Sequence, residues 1–548
     1  MKLSDVIDCG ASQFGSNPCV AYVADAKILT YRAAWQALLH HETWLQRIAA
    51  QDKGVVAYLS GNNIDMLLSM LACMNLEKVT VTLLNTRWTP SEMAAVLQTT
   101  DASARTLILY GLDYGEPAQK ASDQLLHPSW TLAIPSFSDT MLTRLGSALA
   151  TESGVYREDD QDINGAIQNV INDKDGGDDA VIVFTSGTTN GSKGVRLSHK
   201  AVWIQSLAKL RQPCRYTQET RMLASTVPLF HIGGLSSTIA VLMAGGTWVV
   251  PPSVDPKSVL QSLTSTRLSA NTLVVVPAML HSLLQHISKN ETYKSVSLLL
   301  IGGQSASPDT IQRIAHVFPN ARLVQTFACT EAASSLTFLE VKPDRHKTIL
   351  SLPKGPSGDC IGVPPPHVDL ILLNKDNQAA IQAPYQVGVF ATRGAHVMNG
   401  YWKRTGTIKN CSTDSWYLTS DLGYRDENGQ FYFSGRTKDV IRTGGETVIA
   451  SEVERVLLCH FGIRECAVFA LPDERFGESV CAALVLCDSE LLTLSDVRSF
   501  CSQRGLAGYK QPRLIYIVKE LPRNSSGKVV KYRLVERFRA RQPLRSKL

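Results

Sequence analysis

Short β-branched and apolar runs alternate with stretches of helical spacing through the middle of the chain, and this alternation restricts the fold more than any other feature. A first series reads "VVAYLSG", a helical pattern from Ile64, "VTVTLLN" and "ARTLILYG". A second reads "RMLASTVPL", a helical pattern from Ile232, "TWVV", a helix opened by Asp255-Pro256, "TLVVVPAML", a helix through His281 and "SVSLLLIGG". It ends with a helix opened by Ser307-Pro308 and the run "ARLVQTFACTE". Strands that alternate with helices form parallel sheets with the helices packed over them. After roughly residue 355 the pattern changes: "HVDLILL", "QVGVFATRG" and "GQFYFSGR" read as β-ribbon, with Asn428-Gly429 as a hairpin turn. Beyond "GRTKD" a compact α+β unit follows, in which Ser451 and Glu454 have capping-box spacing on a helix. The expected fold is therefore α/β. A large N-terminal domain (residues 1–437) has parallel-rich sheets covered by helices plus a β-ribbon subdomain, and a small α+β domain (438–548) follows.

One glycine-rich stretch sits where such folds bind ligands. "VFTSGTTNGSKGVRLSHK" runs from Val183 to Lys200, after the strand-like Ala180–Phe184 and before a helical pattern capped by Ser198 and carried by Val202, Ile204, Leu207 and Leu210. A turn of this kind aims backbone N–H groups at an anion, its hydroxyls add donors, and Lys193 adds a point charge. It is not a Walker A loop: counting from Gly187, Ser192 stands where the second glycine is required and Gly194 follows Lys193. On this stretch alone a polar surface turn is the competing reading. The acidic segment Glu152–Asp179 upstream reads as a surface excursion.

Composition excludes several classes. The net charge of +6, from 55 basic and 49 acidic residues, is too mild to argue for nucleic acid. The twelve cysteines form no CxxC pair, so reduced thiols rather than a zinc site are expected. "MKLSDVIDCGASQF" does not read as a signal peptide, and the longest apolar run, Ile239–Val250, is broken by Gly245, Gly246 and Thr247, too early for a membrane span. The terminal Ser546-Lys547-Leu548 reads as a peroxisomal address for an import receptor, the competing reading being an accidental basic tail.

Five further stretches stand in order behind the glycine-rich one: "PLFHIGG" (228–234), "QTFACTE" (325–331), "YLTSDLG" (417–423), "GRTKDVIRTGGETV" (435–448) and "LPRNSSGK" (521–528). Together they resemble, over nearly the whole chain, the acyl-activating adenylate-forming enzymes: acyl-CoA ligases, luciferases and peptide-synthetase adenylation domains. That resemblance implies ATP, Mg²⁺ and coenzyme A as cofactors. It implies that Thr185, Ser186, Gly187, Thr188, Thr189 and Lys193 wrap the β- and γ-phosphates, and that Thr330 bonds the α-phosphate. Glu331 would hold Mg²⁺, Asp421 and Arg436 the ribose, and Phe327 the adenine, with Gly303 and Gln304 also at the nucleotide. Lys528 would act on the carboxylate and α-phosphate together with Thr330 and Glu331 as the catalytic group. The small domain would be mobile about Lys438, bringing Gly444 and Gly445 to the path of the pantetheine thiol. Asn190, Ser192 and Phe327 depart from the family pattern, which usually has glycine, proline and tyrosine there.

The segments "WIQSLAKL", "PLFHIGGLSST", "TEAASSLTF", "GDCIGVPPPHVDL" and "LAGYKQPR" are further similar to the plant and algal 2-succinylbenzoate–CoA ligases of phylloquinone synthesis. A pocket for such an acid needs placed polar donors among apolar walls, and His231, Ser334, Ser335 and Thr337 are the candidates. The alternatives left open are a 4-coumarate-like or medium/long-chain peroxisomal acyl-CoA ligase, and an acyl-adenylate-forming or binding module that makes no thioester. A peroxisomal location is expected ahead of a cytoplasmic or plastid one.

Overall fold

The computed structural model describes residues 2–24, 27–49, 54–76, 79–98, 105–126, 128–136, 143–144, 177–185, 192–224, 226–264, 269–288, 290–303, 306, 308–341, 358–375, 377–402, 415–487, 491–523 and 529–539. The chain divides into two compact units: Met1–Leu352 with Ile361–Leu370 and Thr392–Tyr417, and Pro353–Cys360 with Ile371–Ala391 and Leu418–Leu548. No helix among the described residues is long and apolar enough to cross a membrane.

The first unit holds the two sheets that the alternating pattern calls for. In the seven-stranded sheet, Gly54–Leu59 lies parallel between Val79–Leu83 and Arg105–Tyr110. Asp179–Thr185 adds parallel to Val79–Leu83, and the strands Lys193–Ser198 and Gly400–Trp402 then add antiparallel at that edge. In the nine-stranded sheet the run from Arg322–Cys329 through Leu298–Gly302, Thr272–Val275, Arg221–Leu223 and Thr247–Val250 to Pro18–Tyr22 is parallel. Ser334–Val341 folds back antiparallel on Arg322–Cys329. The strand interiors are buried on both faces, as parallel sheets demand, which is why they read as continuous apolar runs.

The helices start where the sequence supplies caps. Asn63 accepts from the Met66 amide ahead of Ile64–Cys73, Asp255 accepts from Lys257 and Ser258 ahead of Pro256–Thr264, and Ser198 accepts from Ala201 ahead of His199–Leu207. One apolar cluster takes residues from both sheets (Val56, Val183 and Val195; Val20, Trp248 and Val324) and from the helices His199–Leu207 and Ile232–Met243. Each large side chain buried there stabilises the unit by about 1.5–3 kcal/mol, and this cluster fixes the positions of the strand ends that carry the site.

The β-ribbon expected after residue 355 is a five-stranded sheet ordered Asp359–Gly362, Phe431–Arg436, Tyr417–Arg425, Gly388–Arg393, Asp369–Leu373. Asn428-Gly429 lies inside a loop from Asp426 to Gln430, where the Asp426 carboxylate accepts from the amides of Asn428 and Gln430. In the second unit Ile463–Asp473 and Gly477–Leu486 form a long antiparallel hairpin, flanked by Val440–Thr443 with Glu446–Ile449 and by Leu514–Ile517. Its two faces separate by strict alternation. Val468, Val480, Ala482 and Leu484 pack with Val453 and Leu457 of Ala450–Leu457 and Val497 and Cys501 of Leu494–Gln503. Ala467, Phe469, Leu471 and Cys481 pack with Leu534 and Phe538 of Lys531–Arg539. The capping box expected at Ser451 and Glu454 is absent. The helix begins two residues earlier, at Ala450 behind Ile449; Ser451 donates to the Ser434 carbonyl, and Glu454 accepts from the Val468 amide and pairs with Lys531 at 2.7 Å. Tertiary partners took both side chains that local spacing assigned to the helix end.

Candidate active site

The glycine-rich stretch is not a turn between strand and helix, as the sequence pattern suggested. A second strand, Lys193–Ser198, intervenes, pairing antiparallel with Asp179–Thr185 in the register Thr185↔Lys193 and Phe184↔Gly194. The stretch thus joins two paired strands, and Ser198 caps the helix only at the far end of the returning strand. Ser186, Gly187, Thr188, Thr189 and Asn190 lie outside the described residues, as does Gln304. Gly194 is required by packing: a Cβ there would stand 3.0 Å from both Ile182 and Trp402. Lys193 is exposed, with its ammonium 5.3 Å from the ring centroid of Tyr401.

Thr330 and Glu331 occupy a single 3₁₀ turn, Thr330–Ala332, that reverses Arg322–Cys329 into Ser334–Val341. So tight a reversal forces positive φ on two buried non-glycine residues, Ala333 at 52° and Ser334 at 148°. Each such residue costs on the order of 1–3 kcal/mol, a cost that persists in proteins chiefly at functional sites. Met398 donates its amide to the Glu331 carbonyl at 2.8 Å, and the Tyr401 hydroxyl donates to Glu331 Oε1 at 2.8 Å. Tyr417 stands 3.2 Å from the Tyr401 hydroxyl. Burial first, and then the Glu331 charge, push both phenols well above their ordinary range, so they remain donors at any physiological pH. Tyr401 therefore ties the hairpin lysine to the carboxylate turn, because its strand Gly400–Trp402 pairs directly with Lys193–Ser198. The sequence reading missed both tyrosines; the aromatic run "GYW" at 400–402 was the available signal.

Gly303 and Phe327 lie at the carboxyl ends of adjacent parallel strands, the usual ligand edge of such sheets. Gly303, exposed and at φ +88°, follows Leu298–Gly302, whose Gly302 pairs with Thr326, the neighbour of half-buried Phe327. His231 is the N-cap residue of Ile232–Met243, and its ring lies 4.7 Å from that of Phe230. Ser335 is buried opposite Ala328, and Thr337 donates to the Ile361 carbonyl.

Ser334 leads to a group that the sequence reading did not reach. Its hydroxyl accepts from Ser236 at 3.0 Å and from the ammonium of Lys209 at 3.3 Å. Lys209 is 1% exposed, donates also to Ser236 at 2.7 Å, and follows Gln205 by one helical turn. Gln205 in turn donates to the Ala332 carbonyl at 2.9 Å, directly behind the Thr330–Glu331 turn. A lysine inside the apolar run "WIQSLAKL" was the signal, but its partners are far away in sequence.

In the second unit Asp421, buried, pairs with Arg436 at 3.0 Å, as the register Asp421↔Arg436 of adjacent strands dictates. Lys438 is exposed on the 3₁₀ turn Thr437–Asp439. Gly444 and Gly445, at φ +60° and +84°, form the two-residue turn between Val440–Thr443 and Glu446–Ile449, a geometry open to glycine pairs and few others. A Cβ on Gly445 would meet nothing within 4 Å, so this turn presents bare backbone to solvent. Lys528 lies outside the described residues.

No group of three or more His, Cys, Asp or Glu that could hold a metal occurs among the described residues. Glu331 offers a single carboxylate with one oxygen fixed by Tyr401. That suits Mg²⁺, which takes one or two carboxylates and completes its shell with phosphates and water, and does not suit a protein-caged metal.

Residues 10–402 match the AMP-binding enzyme family and residues 452–528 the AMP-binding enzyme C-terminal domain. The 2-succinylbenzoate–CoA ligase, chloroplastic/peroxisomal, of Arabidopsis thaliana is 31% identical over 513 residues, 87% of this chain and 86% of that one. The oxalate–CoA ligase of the same plant is 27% identical over 492 residues, 88% of each chain. Among solved structures, the o-succinylbenzoate CoA synthetase of Bacillus subtilis in complex with its acyl-adenylate intermediate superposes with a TM-score of 0.75 at 23% identity, covering 96% of this chain and 97% of that one. With the family match spanning well over half of its length, the chain belongs to the AMP-binding enzyme family.

Proposed function

We propose that the acid taken by this ligase is 2-succinylbenzoate, which would place the enzyme in phylloquinone synthesis. The reaction class is that of an AMP-forming acid–thiol ligase. The carboxylate attacks the α-phosphate of ATP, forming a mixed anhydride with AMP and releasing pyrophosphate. The thiol of coenzyme A then attacks the acyl carbon, and AMP leaves. The observation that carries the choice of acid is the likeness to the Arabidopsis ligase along nearly the full length of both chains.

In this reading the stretch Thr185 to Lys193 holds the β- and γ-phosphates, including Ser186, Gly187, Thr188 and Thr189. Thr330 donates to the α-phosphate, and Glu331, steadied by Tyr401, holds Mg²⁺. The metal would supply charge neutralisation on the phosphate oxygens. Phe327, Gly303 and Gln304 flank the base, while Asp421 and Arg436 take the ribose hydroxyls. His231, Ser334 and Ser335 line the acid pocket. Lys528 stabilises the charge that develops during adenylation. The small domain, residues 438–548, turns about Lys438 between the half-reactions and brings the bare backbone of Gly444-Gly445 to the thiol. Ser546-Lys547-Leu548 directs the enzyme to the peroxisome through the import receptor.

The test is a panel of acids (2-succinylbenzoate, 4-coumarate, medium-chain fatty acids, oxalate and malonate) with AMP release measured with and without coenzyme A. Preferred turnover of 2-succinylbenzoate, dependent on coenzyme A, is the expected result. Equal or better turnover of coumarate or a fatty acid removes the substrate assignment, and AMP release indifferent to coenzyme A removes the thioester step.

A further inference from the structure

We infer that Lys209 is the cation that receives the second carboxylate of the acid substrate, an assignment that rests on the dicarboxylate reading above. The Lys209 ammonium is a charge without a counter-charge among the described residues. Lys209 is 1% exposed, and among the described residues its ammonium meets only the Gln205 carbonyl at 3.5 Å and the hydroxyls of Ser236 at 2.7 Å and Ser334 at 3.3 Å. No carboxylate pairs with it among the described residues. Its neighbours deepen the imbalance. Arg211, two residues on, has a buried Nη1 without a partner, and His367 has both ring nitrogens buried and unpartnered. Burial, together with the charges of His396, Arg211 and Lys209, pushes His367 down to about 3, so its ring is neutral. His396 is likewise held neutral by burial at about 4. Burial pushes the Cys214 thiol up to about 12 and the Tyr216 phenol higher still, so neither supplies an anion. Lys209 and Arg211 thus both act on the buried His367, and among the described residues no carboxylate pairs with the Lys209 ammonium; the carboxylates of Glu340 and Asp369 act instead on Cys214 and His396.

Burying an unpaired ammonium costs several kcal/mol, and chains retain such groups chiefly where a ligand supplies the partner. The location fits the acid substrate. Ser334 is three residues beyond Glu331, and Gln205 bonds the back of the same turn. An acid whose reacting end lies against Thr330 and Glu331 would send its far end toward Lys209. A carboxylate arriving there finds one ammonium and two hydroxyls that can turn to donate. An acid without that group leaves all three unmet, which penalises it.

The test compares steady-state AMP release by the full-length enzyme and by Lys209→Met. The substrates are 2-succinylbenzoate and its two mono-acid analogues, one without the ring carboxylate and one without the side-chain carboxylate. Lys209→Met is expected to raise KM for the diacid by about 10–100-fold, with kcat and the KM for ATP changed little. The mono-acid that the wild type accepts should change less than about twofold. Equal effects on both acids, or no effect on either, overturn the inference. The wild type alone gives an independent reading that no folding defect can obscure. Lys209 itself titrates at about 8, so KM for the diacid should rise above that pH while KM for the mono-acid stays level. Parallel profiles overturn the inference. If the wild type refuses 2-succinylbenzoate but takes oxalate or malonate, the substrate assignment falls and the Lys209 comparison is made on that diacid. If it takes only monocarboxylates, both fall.

Discussion

Two buried charges, one in each unit, are handled in opposite ways. Asp421 faces Arg436 at 3.0 Å because strand register sets them opposite each other. Lys209 faces two serines and a carbonyl. The first charge is satisfied by the fold before any ligand arrives, and so serves as a rigid fixture. The second is left partly satisfied, at a cost to the fold, and so is free to respond to what binds.

The largest effect is expected from a third charge that belongs to neither kind. In the proposed function Lys528 serves the transition state of adenylation alone. Lys528→Ala should lower adenylation by about 10²–10³-fold, the magnitude for one electrostatic group aimed at developing charge, and leave thioester formation from supplied acyl-adenylate within about threefold. Comparable losses in both half-reactions would make it a fixture like Asp421. Arg436→Ala should behave in that other way. The ribose is present in ATP and in the acyl-adenylate, so KM should rise about tenfold in both half-reactions, at ~1.4 kcal/mol for one lost charge-assisted bond. A loss confined to adenylation would break the contrast.

The same two charges divide what the sequence reveals from what it hides. Asp421 and Arg436 stood within short motifs, and an antiparallel pair of adjacent strands brought them together across a span the chain itself specifies. The parallel sheets, likewise, were written in local alternation. Lys209 was hidden because its partners come from 27 and 125 residues away, on a different helix and a different strand. Tyr401 was hidden for a like reason, reaching Glu331 across 70 residues. The two outright corrections have one cause. Lys193–Ser198 read as the lead into a helix, and Ser451 with Glu454 read as a cap, but in each case a partner strand claimed residues whose local pattern favoured a helix end.

The cost of the unpaired lysine is itself measurable. Burial lowers Lys209 from an ordinary 10.5 to about 8. The unfolded chain therefore binds more protons than the native one between those values, so stability rises with pH across that window. Below about pH 8 the full penalty applies, roughly 3 kcal/mol at ~1.4 kcal/mol per pH unit of displacement. Lys209→Met should accordingly melt a few degrees higher than wild type at pH 7, and the advantage should shrink at pH 10 and above. A variant that melts lower at pH 7 would mean the lysine is structural, and the contrast with Asp421 would fail.

The smallest effect sharpens the comparison most, because it leaves the charge in place. Ser236 makes the shortest bond to the Lys209 ammonium, 2.7 Å, and also donates to Ser334. Ser236→Ala removes a group that favours the charged lysine and one of the two hydroxyls offered to a carboxylate. Both losses act in the same direction. The lysine, less well held as a cation, should titrate lower, so the pH above which KM for the diacid rises should move below 8. At pH 7 the KM for the diacid should rise about fivefold, the worth of one hydrogen bond near 1 kcal/mol, while the mono-acid is unaffected. If Ser236→Ala shifts KM for both acids equally and leaves the pH profile unmoved, the serine is packing, and the lysine answers to something other than the substrate's charge.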